Sequence, residues 1–180
     1  MQLTHNPIEK FVIVGGGTAG WLAAATLGNI FKDSNTQVDL IESDEVNIIG
    51  VGEATIPPLI DTLESLGIDL VEFIKATQAS FKWGIEFENW YQESHSYFHP
   101  FGEVGQKIDG HEFYQCWLKQ KAEGDSTPLM AYSPEAVLSE KNRFFVPHQA
   151  MNTPLAGARF ALHLDAANMA LVDEFLQDTI

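Results

Sequence analysis

A glycine-rich turn between an apolar run and a helix-forming run constrains the fold of this chain more than any other feature. Residues 11–20 read FVIVGGGTAG, so a mostly β-branched run leads into Gly15, Gly17 and Gly20 at G-x-G-x-x-G spacing. The following residues, WLAAATL, favour a helix. The pattern predicts a strand over 11–14, a tight turn, and a helix that continues through Trp21.

Each glycine of this turn meets a different physical requirement. Gly15 permits the sharp turn, Gly17 lets the backbone approach a pyrophosphate, and Gly20 lets helix and strand pack closely. Phosphates would then lie on the first N–H groups of the helix, at Thr18 and Ala19, where the helix dipole favours negative charge.

A second short strand, ending in an acid, extends the pattern. Residues 37–42 read QVDLIE, and Glu42 lies 22 residues after Gly20, near the spacing at which a carboxylate accepts hydrogen bonds from an adenosine ribose. Strand, glycine turn, helix, strand and acid together predict a dinucleotide site. The alternative is a glycine-rich turn without a ligand, with Glu42 solvated.

Composition narrows the class of protein. Ten Lys and Arg against 25 Asp and Glu give a formal charge of −15, which disfavours nucleic acid and anionic membranes as partners. The single cysteine excludes a disulfide within the chain and a cysteine-based metal cluster, and no metal site is predicted. The first ten residues do not resemble a signal peptide, and no run reaches the roughly 18 apolar residues of a membrane span, so a cytoplasmic protein is expected.

The residues after Glu42 form a second unusual stretch, SDEVNIIGVGEATIPPLI. The Pro57-Pro58 pair predicts the start of a helix over about 59–66, and Asp69 is a predicted N-cap for a helix over 70–77. Glu53 precedes the proline pair, so one interpretation is a charge that stabilises the N-terminus of that helix.

Later segments are assigned by their period. Residues 81–90, FKWGIEFENW, alternate as a strand, with Lys82 on the polar face. In one interpretation Lys82 is an exposed lysine paired with Glu86. Residues 91–111 are predicted to be loop-like, apart from a tight turn at Asp109-Gly110. Helices are predicted over 113–122, 130–138 and 161–179, and a chain that stops after such a helix is expected to be a fragment.

Three stretches together resemble the flavin-dependent halogenase family, of which the tryptophan halogenases are the best known. They are GGGTAGW (15–21), GVGEATIP (50–57) and FKWGIEF (81–87), with a looser likeness at YFHPFG (97–102) and in the 163–176 segment. The resemblance implies an α/β fold, an FAD-binding Rossmann type with an inserted substrate-binding region. Residues 1–180 would be the N-terminal part of one such domain, with the insertion starting over about 56–155 and the C-terminal remainder missing.

The resemblance also implies a cofactor and a reaction. FAD would be used as FADH2 from a separate flavin reductase. Residues 50–55 would form a strap between the flavin and substrate compartments, in which Gly52, Glu53 and Ala54 touch the flavin. Dioxygen and chloride or bromide would give hypohalous acid through a flavin hydroperoxide. Lys82 would handle that acid, and an electron-rich aromatic carbon would be halogenated, with tryptophan or another indole as the candidate substrate.

Several alternatives stay open at this point. The enzyme could be an aromatic monooxygenase that uses the flavin hydroperoxide directly, or the chain could be a non-catalytic FAD-binding module. A charged Lys82 could donate a hydrogen bond to hypohalous acid, whereas a neutral amine could form a haloamine. The W-x-W-x-I-P motif of the family, and the glutamate that assists proton loss from the arene, would lie beyond residue 180, which leaves the substrate class open. A homodimer is a candidate assembly.

Overall fold

The computed structural model describes residues 8–43, 53–153 and 155–164, which divide into two compact units. The first unit contains residues 8–43, 53–54, 58–80 and 163–164, and the second contains 55–57 and the described residues of 81–162. In chain order the elements are β1 (Lys10–Val14), α1 (Thr18–Phe31), β2 (Gln37–Ile41), β3 (Glu53–Ala54), α2 (Pro58–Ser65), α3 (Leu70–Ala76), β4 (Ser80–Lys82), β5 (Gly84–Glu88), β6 (Ser96–Pro100), α4 (Phe113–Ala122), α5 (Pro134–Glu140) and β7 (Ala161–Leu164). The insertion over about 56–155 stays a prediction.

The first unit opens with a parallel β1-α1-β2 segment, as the sequence predicts. The two strands pair in register from Lys10↔Gln37 to Val14↔Ile41. Parallel strands need a crossover connection, and α1 supplies it. Ala24 and Ala25 of α1 are buried, and small side chains such as these allow α1 to pack closely against β1 and β2. This parallel arrangement brings the carboxyl ends of β1 and β2 to the same edge of the sheet, where the glycine turn lies.

Two short helices follow in the same unit, close to their predicted bounds. The Asp69 carboxylate accepts hydrogen bonds from the Val71 and Glu72 N–H groups, both at 2.9 Å, and so caps α3 as predicted. Leu63 of α2 and Phe73 of α3 are fully buried. The helices over 59–66 and 70–77 are therefore confirmed.

The predicted helix over 161–179 is wrong in its first four residues, which form β7. A three-stranded sheet has the order β3-β7-β4, and β3 pairs with β7 in antiparallel fashion at Glu53↔Leu164 and Ala54↔His163. Leu162 and Leu164 are buried, and apolar residues at this spacing suit a strand as well as a helix. Residues 165–179 of that prediction lie outside the described residues.

The second unit contains a hairpin that the sequence only half predicted. β5 and β6 pair in antiparallel register from Gly84↔Pro100 to Glu88↔Ser96, so the loop prediction is wrong for residues 96–100. The stacked rings of Phe87 and Tyr97, with centroids 5.0 Å apart, form one of the cross-strand pairs that stabilise such a hairpin. β6 contains Ser, His and Pro, so its sequence does not show the alternation of apolar and polar residues that predicts a strand.

An aromatic cluster forms the core beside this hairpin. Trp83 is buried, and its ring centroid lies 4.8 Å from that of Phe144 and 5.3 Å from that of Phe145. The indole N–H of Trp83 also donates to the Arg143 carbonyl at 2.8 Å. The strand predicted over 81–90 is therefore interrupted at Trp83, between β4 and β5.

The remaining helices of the second unit lie largely where they were expected. α4 matches the prediction over 113–122, whereas the helix over 130–138 divides into a 3₁₀ turn at Leu129–Tyr132 and α5. Pro134 favours the first turn of a new helix, and the Ser133 hydroxyl caps it by accepting from the Ala136 N–H. The Asp109-Gly110 turn is confirmed, with both residues at positive φ between bridged Ile108 and His111.

Candidate functional site

The glycine turn in the first unit has the backbone conformation that its sequence predicts. Gly15 has a φ of +123°, which L side chains rarely adopt, and its N–H donates to the Ile41 carbonyl at 2.9 Å. A Cβ at Gly20 would overlap the backbone oxygen of Gly15. Gly15 therefore makes the turn, and Gly20 allows α1 to pack against it.

The N-terminus of α1 offers backbone donors at this turn. Gly17 is the N-cap residue and has no side chain that could cap the helix, and no acidic residue lies in the first turn of α1. The Trp21 N–H donates to the Gly17 carbonyl at 3.1 Å, so the N–H groups of Thr18, Ala19 and Gly20 precede the first bond of the helical ladder. A Cβ at Gly17 would lie more than 4 Å from every atom of the residues that the structure describes, its own chain neighbours aside. The turn thus fits a pyrophosphate group that approaches the backbone.

Glu42 follows β2 at the same edge. Its side chain is exposed and lies against Gly16, where an added Cβ would overlap the carboxylate. A carboxylate in this position fits a ribose beside the phosphates. Gly16, the middle residue of GGG, was not singled out from the sequence, and only its pairing with a distant acid would have identified it.

The predicted strap residues are only partly described. Gly52 lies outside the described residues, and Glu53 and Ala54 form β3 by their backbones. Ala54 is exposed. The contacts of these residues with a flavin stay predictions, as does a helix-stabilising charge at Glu53.

Lys82 differs from the exposed strand lysine of the alternative interpretation. It is half-buried, and its Nζ donates to the Thr55 carbonyl at 3.1 Å and lies 5.4 Å from the centroid of the Phe101 ring. Glu86 instead accepts from the Ser96 hydroxyl at 2.6 Å. Because β4 ends before Trp83, the alternation that runs along β5 does not determine where Lys82 points.

The surroundings of Lys82 affect its protonation. Burial lowers the pKa of the Lys82 amine from its ordinary value, because a charged group loses hydration there. Within the described ranges, no carboxylate forms an ion pair with this amine that would oppose the effect. One N–H is engaged by the Thr55 carbonyl, so the amine retains further donors, or a lone pair when neutral, for a reactant.

Thr55 ends the strap that the resemblance implies, but sequence reasoning assigned it no contact of its own. Its hydroxyl donates to the Leu162 carbonyl and accepts from the Leu162 N–H, both at 2.9 Å. GEATIP contains this threonine, but its partner is 107 residues away, and no spacing in the sequence reveals such a pair.

The described part of the chain lacks two further features, a metal site and a membrane-spanning helix. Among its residues, no group of three His, Cys, Asp or Glu side chains could hold a metal ion. None of its helices combines the length and apolar character that crossing a bilayer requires.

Comparison with known proteins gives a consistent result. The family model described as tryptophan halogenase matches residues 10–179. Tryptophan 6-halogenase SttH from Streptomyces toxytricini is 37% identical over 116 residues, which cover 64% of this chain and 22% of the relative. Tryptophan 7-halogenase RebH from Lentzea aerocolonigenes is 43% identical over 84 residues, covering 46% of this chain and 16% of the relative.

Solved structures extend the likeness to nearly the whole chain. BrvH, a flavin-dependent halogenase from Brevundimonas sp. BAL3, has a TM-score of 0.80 at 38% identity, with 96% of this chain and 34% of the other covered. Xcc4156, a flavin-dependent halogenase from Xanthomonas campestris, has a TM-score of 0.81 at 38% identity, with 97% and 34% covered. The chain thus spans about a third of the length of these structures, and its fold is of their α/β type. On these matches, the chain belongs to the tryptophan halogenase family.

Proposed function

We propose that this chain forms the FAD-binding part of an enzyme that halogenates an electron-rich aromatic compound. The observation that carries the proposal is the half-buried Lys82 amine, hydrogen-bonded to the Thr55 carbonyl, in the stretch FKWGIEF. Relatives named tryptophan 6-halogenase and tryptophan 7-halogenase support tryptophan or another indole as the substrate.

The first unit would bind FAD at the glycine turn. The N–H groups of Thr18, Ala19 and Gly20 would donate to the pyrophosphate, and Glu42 would accept from the ribose hydroxyls. Gly17 would allow the phosphates to approach the backbone. When bound in its reduced form, FAD would reduce dioxygen so that one oxygen atom is transferred to chloride or bromide, which with a proton gives hypohalous acid, and the other oxygen atom leaves as water. A separate flavin reductase in the cytoplasm would supply the reduced cofactor.

Lys82 would deliver the halogen to the aromatic carbon. As an ammonium, it donates a hydrogen bond to the oxygen of hypohalous acid and makes the halogen more electrophilic. As a neutral amine, it attacks the halogen, and a nitrogen–halogen bond forms as the oxygen–halogen bond breaks and water leaves. In both cases the arene gains the halogen and loses a proton, so one arene and one hypohalous acid give one haloarene and one water.

The test compares Lys82→Ala with the wild type in the full-length protein. Flavin oxidation and product mass are measured together, with a reductase, halide and an indole substrate present. Lys82→Ala is expected to bind FAD and oxidise reduced flavin like the wild type, yet to form no halogenated product. Lys119→Ala, an exposed lysine of the second unit, is the matched control and is expected to keep the wild-type yield.

Other outcomes distinguish the alternative functions. A halogenated product at wild-type yield from Lys82→Ala would remove the lysine from the reaction. An oxygenated product that forms without halide would indicate an aromatic monooxygenase. Tight FAD binding without any substrate turnover in the wild type would indicate a binding module.

A further inference from the structure

Thr55 is attached to a buried strand by three hydrogen bonds to one residue. Its N–H and its hydroxyl both donate to the Leu162 carbonyl at 2.9 Å, and its hydroxyl accepts from the Leu162 N–H at 2.9 Å. A carbonyl oxygen has two lone pairs, so it can accept both bonds. Leu162 is fully buried within β7. The position of Thr55 is therefore fixed, through both its backbone and its side chain, by hydrogen bonds to a buried strand.

The carbonyl of this same residue accepts the hydrogen bond from Lys82 Nζ at 3.1 Å. Its orientation is limited from the other side as well, because the next residue, Ile56, precedes Pro57 and is restricted to extended conformations. A clamped threonine and a proline-restricted residue thus flank the peptide unit that presents this oxygen. The acceptor of Lys82 has little freedom to turn away.

The Lys82 amine needs a fixed hydrogen-bond acceptor if it is to meet a reactant at one position. A lysine side chain has four rotatable bonds, and its amine samples many positions when it is unrestrained. An N–H fixed on the Thr55 carbonyl leaves the remaining donors, or the lone pair, directed away from that carbonyl. The Phe101 ring, 5.4 Å from Nζ, limits the amine further, and the Phe101 N–H is bonded to the Trp83 carbonyl at 3.0 Å.

We propose that Thr55 is a positioning residue for halogen delivery: its hydroxyl holds the main-chain carbonyl that fixes the Lys82 amine. The proposal rests on the proposed role of Lys82. The threonine itself contacts no reacting atom, and its effect passes through Leu162 on one side and Lys82 on the other.

The test uses two substitutions at Thr55 in the full-length protein. Thr55→Val keeps the β-branched shape and removes the hydroxyl, whereas Thr55→Ser keeps the hydroxyl. Thr153→Val is the matched control, because the Thr153 hydroxyl also donates to one backbone carbonyl, of Ala150, and accepts from one backbone N–H, of Leu155. Thr153 is exposed and belongs to the same unit.

The first readout is the halogenated product formed per flavin oxidised. Thr55→Val is expected to lower this ratio about tenfold, with flavin oxidation unchanged. Tenfold is the factor that corresponds to loss of the hydrogen bond between Lys82 Nζ and the Thr55 carbonyl in the delivery step. Thr55→Ser is expected to restore most of the ratio, and Thr153→Val is expected to match the wild type. A general loss of folding would instead lower flavin oxidation in parallel with the product.

The second readout is independent of turnover. The rate at which Lys82 reacts with an amine-acylating reagent is followed by peptide mass spectrometry. Thr55→Val should change this rate severalfold toward that of the same lysine in the denatured chain, whereas Thr55→Ser and Thr153→Val should not. Wild-type acylation and a wild-type product ratio in Thr55→Val would overturn the proposal.

The two proposals can fail separately. If Lys82→Ala keeps its halogenated product, the function proposed for Lys82 is wrong, and the acylation rate still tests whether Thr55 holds the amine. If Lys82→Ala loses its product while Thr55→Val keeps it, only the positioning role is wrong.

Discussion

The Glu42 side chain lies against the backbone of Gly16, so closely that a methyl group at Gly16 would overlap the carboxylate. The acid at the end of β2 is thereby held beside the glycine turn that follows β1. A carboxylate at this edge can accept two hydrogen bonds from neighbouring hydroxyl groups, as a ribose would offer. This relationship connects the two sequence signals of the proposed FAD site.

Glu42→Ala is expected to weaken FAD binding by about 1–3 kcal/mol, because a charge-assisted hydrogen bond to the ribose is lost. Fluorescence titration of the full-length protein with FAD measures the change. Glu64→Ala, an exposed glutamate of α2 in the same unit, is the control and should bind like the wild type. Equal affinity in Glu42→Ala and the control would exclude Glu42 from the site.

Gly17→Ala tests whether phosphates approach the turn. The added methyl group meets no atom of the described residues within 4 Å, so the free energy of unfolding should fall by no more than about 1 kcal/mol, the cost of alanine in place of glycine at an N-cap. A pyrophosphate on the helix N-terminus would be displaced by that methyl group, and we expect FAD affinity to fall by at least about tenfold.

Gly157→Ala is the matched control for this substitution. A Cβ at Gly157 also meets no atom within 4 Å, and no positive φ would strain an alanine there. Both variants should therefore remain folded, and only Gly17→Ala should bind FAD weakly. Wild-type FAD affinity in Gly17→Ala would place the cofactor away from the turn.

The elements that sequence reasoning predicted well have signals that are local. The glycine turn, the Asp69 cap and the Asp109-Gly110 turn each depend on residues that neighbour one another in the chain. Gly15 at φ +123° is an example, because only glycine adopts that conformation without strain. Conformational propensity and residue spacing are therefore enough to predict these elements.

The elements that were missed depend on distant partners. β7 is a strand because Glu53 and Ala54 are available to pair with it, more than 100 residues before it in the chain. The half-burial of Lys82 similarly depends on Thr55 and on the interruption between β4 and β5 at Trp83. A pattern of apolar residues carries no information about which segment becomes the neighbour.

Glu135→Ala is expected to destabilise the protein by about 2–4 kcal/mol, because buried donors lose their acceptor and a cavity remains. Glu135 is 1% exposed, and its carboxylate accepts from the Ser133 hydroxyl at 3.1 Å and from the Arg159 N–H at 3.3 Å. Chemical denaturation measures the change. Glu140→Ala, at the exposed end of the same helix, is the control and should stay within about 0.5 kcal/mol of the wild type. A loss at Glu135 no larger than the control would show that the carboxylate is dispensable to the fold.

The last prediction concerns the protonation of Lys82. Burial lowers the pKa of the amine, so in the folded protein Lys82 loses its proton at a lower pH than in the unfolded chain. The pH at which amine acylation of Lys82 reaches half its maximum should therefore be lower in the native protein than in the denatured one. Between these two pH values the unfolded state binds more protons, so this group makes stability rise with pH.

Lys82→Arg distinguishes the two roles open to the amine. Arginine keeps the positive charge and the N–H donors but does not deprotonate in proteins, so it can donate a hydrogen bond to hypohalous acid and cannot act as a neutral amine. If a haloamine is required, Lys82→Arg loses the halogenated product, and the yield of the wild type rises with pH as the amine deprotonates. If hydrogen bonding suffices, Lys82→Arg retains part of the product. An acylation midpoint in the native protein equal to or above that of the denatured chain would contradict the lowered pKa and leave the hydrogen-bonding role as the one that the amine can perform.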